Sequence, residues 1–345
     1  MNNKRMLWID SIKGFLMLLV IWSHSKAYID KPGYFLTAGY MGVFFFLTGY
    51  TTLEWDINGI KYIKKKAYRL LIPYIVYGTL ITLFQIAVSI FERTFNIYVI
   101  MRGILGFIYN AYTFDKESNF VFLIWDNGPF WFLTAMFLAC VYAWVFFSLW
   151  NKKKKVIAIS LLMIMSVLLN CNTRYMLPWG MDSAFIGAIL IILGSFYRKY
   201  ASKYRFTNTK SVLVVIILSA LLLLLTQYKG VNIAVKEYGQ FSLIGILMYL
   251  LISIVSSVLL LFIFSNSKEQ SFLMKGFAFI GKITITLLCT QMIIIKVSNK
   301  IMFSMTENMI WAGWVSIIMT LLCGWLLNLC LRKLKRERFN WIKYL

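Results

Sequence analysis

The chain has 345 residues, of which 60% are hydrophobic and 14% charged, and it carries a formal net charge of +23. About a quarter of the residues of a soluble domain are charged, so this composition excludes an ordinary water-soluble fold. The bases stand in short stretches between apolar blocks, where topology and contact with anionic lipid account for them; no nucleic-acid partner is expected.

A helix that spans a bilayer needs about 20 mostly apolar residues. Backbone in lipid must satisfy its own hydrogen bonds, which leaves helices or closed barrels. The apolar blocks here are too long and too uniform for barrel strands and do not alternate, so the expected class is all-α. Ten blocks lie near residues 7–27, 34–54, 70–91, 129–150, 156–170, 181–197, 211–227, 242–264, 277–297 and 309–331. They predict a polytopic protein with about ten transmembrane helices. The short fifth and sixth blocks read as tilted or partly enclosed in the bundle. Residues 97–113, interrupted by Arg102, read as an interfacial or re-entrant helix. About a dozen residues follow the tenth block, so a single membrane domain over 1–345 with no appended soluble domain is expected.

Charge placement orients the chain. With the N-terminus inside, 24 of the 36 Lys and Arg fall in inner segments and 10 in outer ones. Lys13 and Lys282 lie within helices. This bias follows the positive-inside rule and predicts cytoplasmic N- and C-termini in a plasma-membrane protein. The basic start, the apolar run 14–22 and the small residues Ser25 and Ala27 have the look of a cleavable leader. Asp10 and Lys13 interrupt that pattern, and the segment is read as a retained span. Four of the five cysteines, Cys140, Cys171, Cys289, Cys323 and Cys330, lie in or at spans, and all five read as small packing residues.

Ionisable side chains inside a membrane usually face a cavity, a partner or a pathway. They are few here: Asp10, Lys13, His24, Asp182 and Lys282, with Arg69 at the inner mouth of the third block. Lys13 and His24 are separated by about 16 Å along a helix and by only ~20° around it. They share a face, Lys13 inward and His24 outward, and Asp10 stands one turn from Lys13 as a partner. His24 is the only histidine and is expected to be buried in the first crossing. Burial favours the neutral imidazole, a good general base or acyl acceptor. A lone imidazole can run acyl transfer when the donor is already activated, as a thioester is. One histidine makes a zinc site unexpected, and no GxSxG or HExxH motif is present.

The segment RMLWIDSIKGFLMLLVIWSHS (5–25) resembles the start of the acyltransferase 3 family, in which a basic residue, ten intervening residues and a histidine mark the first helix. GVFFFLTGY (42–50), KKKAYRLLIPY (64–74), NGPFWFLTAMF (127–137) and PWGMDSAFIGAILIILGSFYRK (178–199) resemble further family segments, in the same order. One departure stands in GKITITLLCTQMIII (281–295), where many relatives carry a second histidine in place of Gln291. The resemblance implies transfer of an acyl group, commonly acetyl, from cytoplasmic acyl-CoA to a surface polysaccharide or its lipid-linked precursor. It implies His24 as the catalytic residue, Lys13 and Arg69 as contacts of the CoA phosphates, and Asp10 in support. For Arg69, contact with lipid phosphate is an equal reading. The aromatic cluster at Trp131 reads as anchoring and packing more than as a sugar platform. A transporter or flippase for the glycan is the rival function; it predicts coupling residues on several helices and internal repeats, neither of which is evident.

Overall fold

The computed structural model describes residues 6–28, 36–37, 39–52, 59–110, 129–149, 152–172, 177–201, 208–226, 243–306 and 308–336. Lys4, Arg5, Lys203, Arg205, Arg338, Lys343 and the side chains of Arg102 and Cys171 lie outside the described residues.

Among the described residues every regular element is helical, as the unbroken apolar blocks require. The helices are α1 (Leu7–His24), α2 (Tyr40–Thr51), α3 (Gly59–Phe91), α4 (Ile97–Tyr109), α5 (Phe130–Ser148), α6 (Lys152–Asn172), α7 (Met181–Ala201), α8 (Asn208–Thr226), α9 (Leu243–Asn266), α10 (Phe272–Lys282), α11 (Thr284–Thr306) and α12 (Met309–Arg336). A 3-10 turn, Pro178–Gly180, leads into α7.

Seven of these are long and apolar enough to cross a membrane: α1, α3, α5, α7 with its leading turn, α9, α11 and α12. The fifth and seventh blocks are helical where the sequence places them, as α6 and α8, while the second and ninth differ from the sequence reading. The second block contains a helix of only 12 residues, Tyr40–Thr51. At ~1.5 Å per residue it is shorter than the hydrocarbon layer. It is enclosed by protein instead, with Val43, Phe45, Phe46 and Leu47 almost fully buried. The ninth block is not one helix: α10 ends at Lys282 and α11 begins at Thr284, with Ile283 between them at φ −112°, ψ 17°. Residues 97–109 form the short α4 expected of an interfacial or re-entrant segment.

Ring contacts fix the relative directions. Phe45 meets Phe132 and Thr48 meets Met136, while Tyr142 stacks on Phe185 and Phe146 meets Phe196. α2, α5 and α7 therefore run side by side in the same direction. Trp8 lies 5.9 Å from Tyr50, so α1 runs against α2. Gly59, at the start of α3, lies against Trp144 near the end of α5. These contacts gather the start of α1, the ends of α2, α5 and α7 and the starts of α3 and α6 at one end of the bundle. That end carries Lys61, Lys64, Lys65, Lys66, the 152–155 lysines, Arg198 and Lys199. At it, Arg198 donates from Nη1 to the Tyr50 carbonyl at 2.8 Å, capping α2.

Candidate active site

α1 packs against α2, α9, α10, α11 and α12. Ile12, Leu16, Met17, Val20 and Ile21 are all but inaccessible. Its closest neighbour is α10. A Cβ on Gly14 would lie 1.8 Å from the Phe277 carbonyl oxygen, and one on Gly281 would lie 1.8 Å from that of Asp10. Two glycines thus let the two backbones touch, the device that membrane helices use where lipid gives no hydrophobic drive to pack. The Ser11 hydroxyl locks the pair by donating to the Met274 carbonyl at 2.8 Å.

Beside this crossing stands the expected ion pair. Asp10 is buried and its Oδ1 lies 3.8 Å from Lys13 Nζ. The Lys13 side chain keeps 27% of its surface accessible. α1 continues without a break to His24, and the separation of about 16 Å between Lys13 and His24 holds.

His24 itself departs from expectation. It is the last residue of the helix and is exposed, not buried. Hydropathy placed it inside the first apolar block, but the chain leaves the helix at Ser25, in extended conformation at φ −87°, ψ 160°. Burial therefore supplies no reason for a neutral imidazole.

The rim around His24 is rich in hydroxyls and rings. Ser23 and Ser25 donate to the carbonyls of Val20 and Trp22, both at 2.8 Å. Trp22 donates from Nε1 to the Ala27 carbonyl at 2.9 Å, and its ring lies 5.0 Å from that of Tyr28. The hydroxyls of Tyr28 and Thr37 are 3.4 Å apart, and Tyr40 hydrogen-bonds Ser23. α12 closes one side of this rim, where a Cβ on Gly313 would lie 2.1 Å from the Ala27 nitrogen.

The remaining expected residues are distributed elsewhere. Arg69 is exposed on α3, which packs chiefly on α5, α4 and α11. Asp182 is fully buried in the first turn of α7, accepting from the amides of Ser183 at 2.8 Å and Leu177 at 3.3 Å. Carboxylates favour that position because the helix amides point at them. Trp131 is only 4% exposed and packs on Phe132, so it belongs to the core and offers no platform to a sugar.

Two features escaped the sequence reading. Asn110 ends α4 in a left-handed conformation at φ 44° and donates to the Phe130 carbonyl at 3.2 Å and to Thr134 Oγ1 at 2.8 Å. With Tyr74 stacked on Phe107 and Trp179 donating to the Ile108 carbonyl at 2.8 Å, it straps α4 to the bundle. Asparagine tolerates that conformation well, a signal that was present in the sequence. The second is the environment of Gln291, a position the sequence singled out only as a departure from the family pattern: it is fully buried in α11 with neither side-chain polar atom hydrogen-bonded.

A bundle of long apolar helices, one of which carries a lysine towards its basic end and the only histidine at the other, defines a polytopic membrane protein with one chemically distinctive helix. A model of the acyltransferase 3 family, described as an acyltransferase domain, matches residues 6–329, and the chain belongs to that family as a membrane acyltransferase. No curated protein and no solved structure matches significantly.

Proposed function

We propose that this acyltransferase transfers an acyl group, acetyl foremost, from cytoplasmic acyl-CoA to a hydroxyl of a surface polysaccharide or its lipid-linked precursor. The observation that supports this is the first helix: α1 carries a partly accessible lysine near the basic end and an accessible histidine at the other. A donor with phosphates at one end and a thioester at the other, joined by a flexible arm, has the length to touch both. The hydroxyl- and aromatic-rich rim suits a sugar acceptor. Family membership favours chemistry over the rival transporter reading.

His24 serves this reaction in one of two ways. As general base it takes the acceptor's hydroxyl proton while that oxygen attacks the thioester carbonyl, and the tetrahedral intermediate collapses with expulsion of the CoA thiolate, which takes the proton from the imidazolium. As acyl carrier its nitrogen attacks the thioester first and releases CoA thiol; the acceptor hydroxyl then takes the acyl group from the imidazole, which is regenerated. Neither route requires a metal. Lys13 holds the donor's phosphates, Asp10 positions Lys13, and Arg69 meets phosphate of donor or lipid at the basic end.

Lys13→Met separates donor binding from chemistry. A charge-assisted contact kept throughout the reaction is uniform binding, and its loss raises KM with little change in kcat. Such a contact is worth about 1.5–3 kcal/mol, so kcat/KM for acetyl-CoA should fall about ten- to a hundredfold, and Lys13→Arg should largely restore it. A Lys13→Met protein that inserts poorly yet is kinetically normal per molecule removes the donor role.

Ten crossings with both termini in the cytoplasm complete the proposal. Reporters placed in the 152–155 loop and after Leu345 should read cytoplasmic, and one in the 227–240 loop external. An external C-terminus would reverse the sidedness assigned to Lys13 and His24.

A further inference from the structure

Gln291 sits about two turns into α11 with no surface accessible, and neither Oε1 nor Nε2 has a hydrogen-bond partner. A carboxamide left unpaired in a low-dielectric interior is costly, and buried polar groups in membrane helices usually serve a pathway or a ligand. Here one donor group and one acceptor group stand open on the same side chain.

The register of α11 and α12 gives the depth. The two helices are joined by residues 307–308 only and so run antiparallel. Leu287 occupies the space where Gly324 lacks a Cβ, at 2.3 Å from the ideal Cβ position. One turn further along α11, the antiparallel register brings Gln291 to the level of Thr320, on the helix that carries the small residues Gly313, Ser316, Thr320 and Gly324. Ser316 and Thr320 donate their hydroxyls back to their own helix, to the carbonyls of Gly313 and Ser316, both at 2.7 Å. Gly313 abuts Ala27, just past His24. Gln291 therefore lies roughly 10 Å inward of the His24 rim, at 1.5 Å per residue from Gly313 to Thr320. At the other end, Gly281 is level with Asp10 and Gly14. α11 packs directly on α1, so Gln291 stands between the levels of Lys13 and His24.

We propose that Gln291 hydrogen-bonds a secondary amide of the donor's pantetheine arm as that arm passes along α1. This rests on acyl-CoA being the donor. The arm carries amides that lose water on entering the bundle, each with one N–H and one C=O. A primary carboxamide matches such a group with its own C=O and N–H. Phosphates and an acetyl methyl do not offer that pairing, and the arm is the part of the donor that must span this depth.

The test uses purified full-length protein in nanodiscs, with Gln291→Leu and Gln291→Asn, and with acetyl-CoA compared against S-acetyl-mercaptoethanol, a thioester that has no amide. Gln291→Leu should raise KM for acetyl-CoA about tenfold with kcat little changed, while activity with the amide-free donor and KM for the acceptor stay at wild-type values. Its melting temperature should equal or exceed that of the wild type, because an unpaired polar group is replaced by an apolar one of similar size. Gln291→Asn should be intermediate in KM. Equal losses with both donors, a change confined to acceptor KM, or a lowered melting temperature with normal kinetics each overturn the assignment. An active wild type with a kinetically normal Gln291→Leu overturns this inference alone. A wild type that does not transfer from acetyl-CoA overturns the proposed function and this inference with it.

Discussion

His24→Ala should abolish acyl transfer to the surface glycan while leaving expression, insertion and monodispersity in detergent close to wild type. His24 ends α1 at the rim and is exposed, so its truncation opens no cavity in the bundle. Single hydrogen bonds of membrane helices average only ~0.6 kcal/mol, so the cost to stability is small. The cost to chemistry is large. A positioned general acid–base is worth roughly 10²–10⁴ in rate, and an acyl carrier cannot be replaced by water in the same geometry. The measurement is incorporation of labelled acetyl into acceptor glycan by vesicles of matched protein content. A brief incubation with labelled acetyl-CoA and no acceptor separates the two routes, since only the carrier route leaves label on the wild-type protein. Near-normal transfer by a well-folded His24→Ala protein would remove the centre of the mechanism.

The second large effect is on assembly. Gly281→Leu and Gly14→Leu should each prevent α1 and α10 from meeting and leave little monodisperse protein. The obstacle to each Cβ is a backbone carbonyl, at 1.8 Å where ordinary contact begins at 3.4 Å, so no rotamer change relieves it. The helices would have to part by well over an ångström. Separation would also break the Ser11–Met274 hydrogen bond and loosen the packing of Phe15 on Phe277. Overpacking a tight core costs about 1–3 kcal/mol even where side chains can yield, and here backbone must yield. Gly276→Ala is the internal control, because a Cβ there meets nothing within 4 Å on the same helix. It should be neutral or slightly stabilising, since alanine favours helix over glycine. Thermal unfolding followed by size-exclusion chromatography reads both. A Gly281→Leu protein that melts with the wild type would mean that the close crossing is not required for the fold.

The amino-acid sequence by itself determined the class. Long apolar blocks can only be helices in lipid, and most of the expected blocks coincide with helices of the bundle. The Asp10–Lys13 pair and the spacing from Lys13 to His24 were legible because they depend on one helix and its rise per residue. What only the tertiary structure decided is whatever depends on a distant partner. Hydropathy could not tell that α2 stops at 12 residues, because most of its interior between Met41 and Gly49 is enclosed by neighbouring helices. Nor could it find the break at Ile283, since a local change of φ and ψ leaves the apolar count unaltered. His24 looked buried because its block is apolar, yet burial is set by the neighbours that reach a position, and at the end of α1 they do not cover it. The same holds in reverse for Trp131 and Gln291, whose enclosure comes from helices brought together by packing. Gly14 and Gly281 stand 267 positions apart in the sequence, and only the assembled bundle makes each the reason the other must be small.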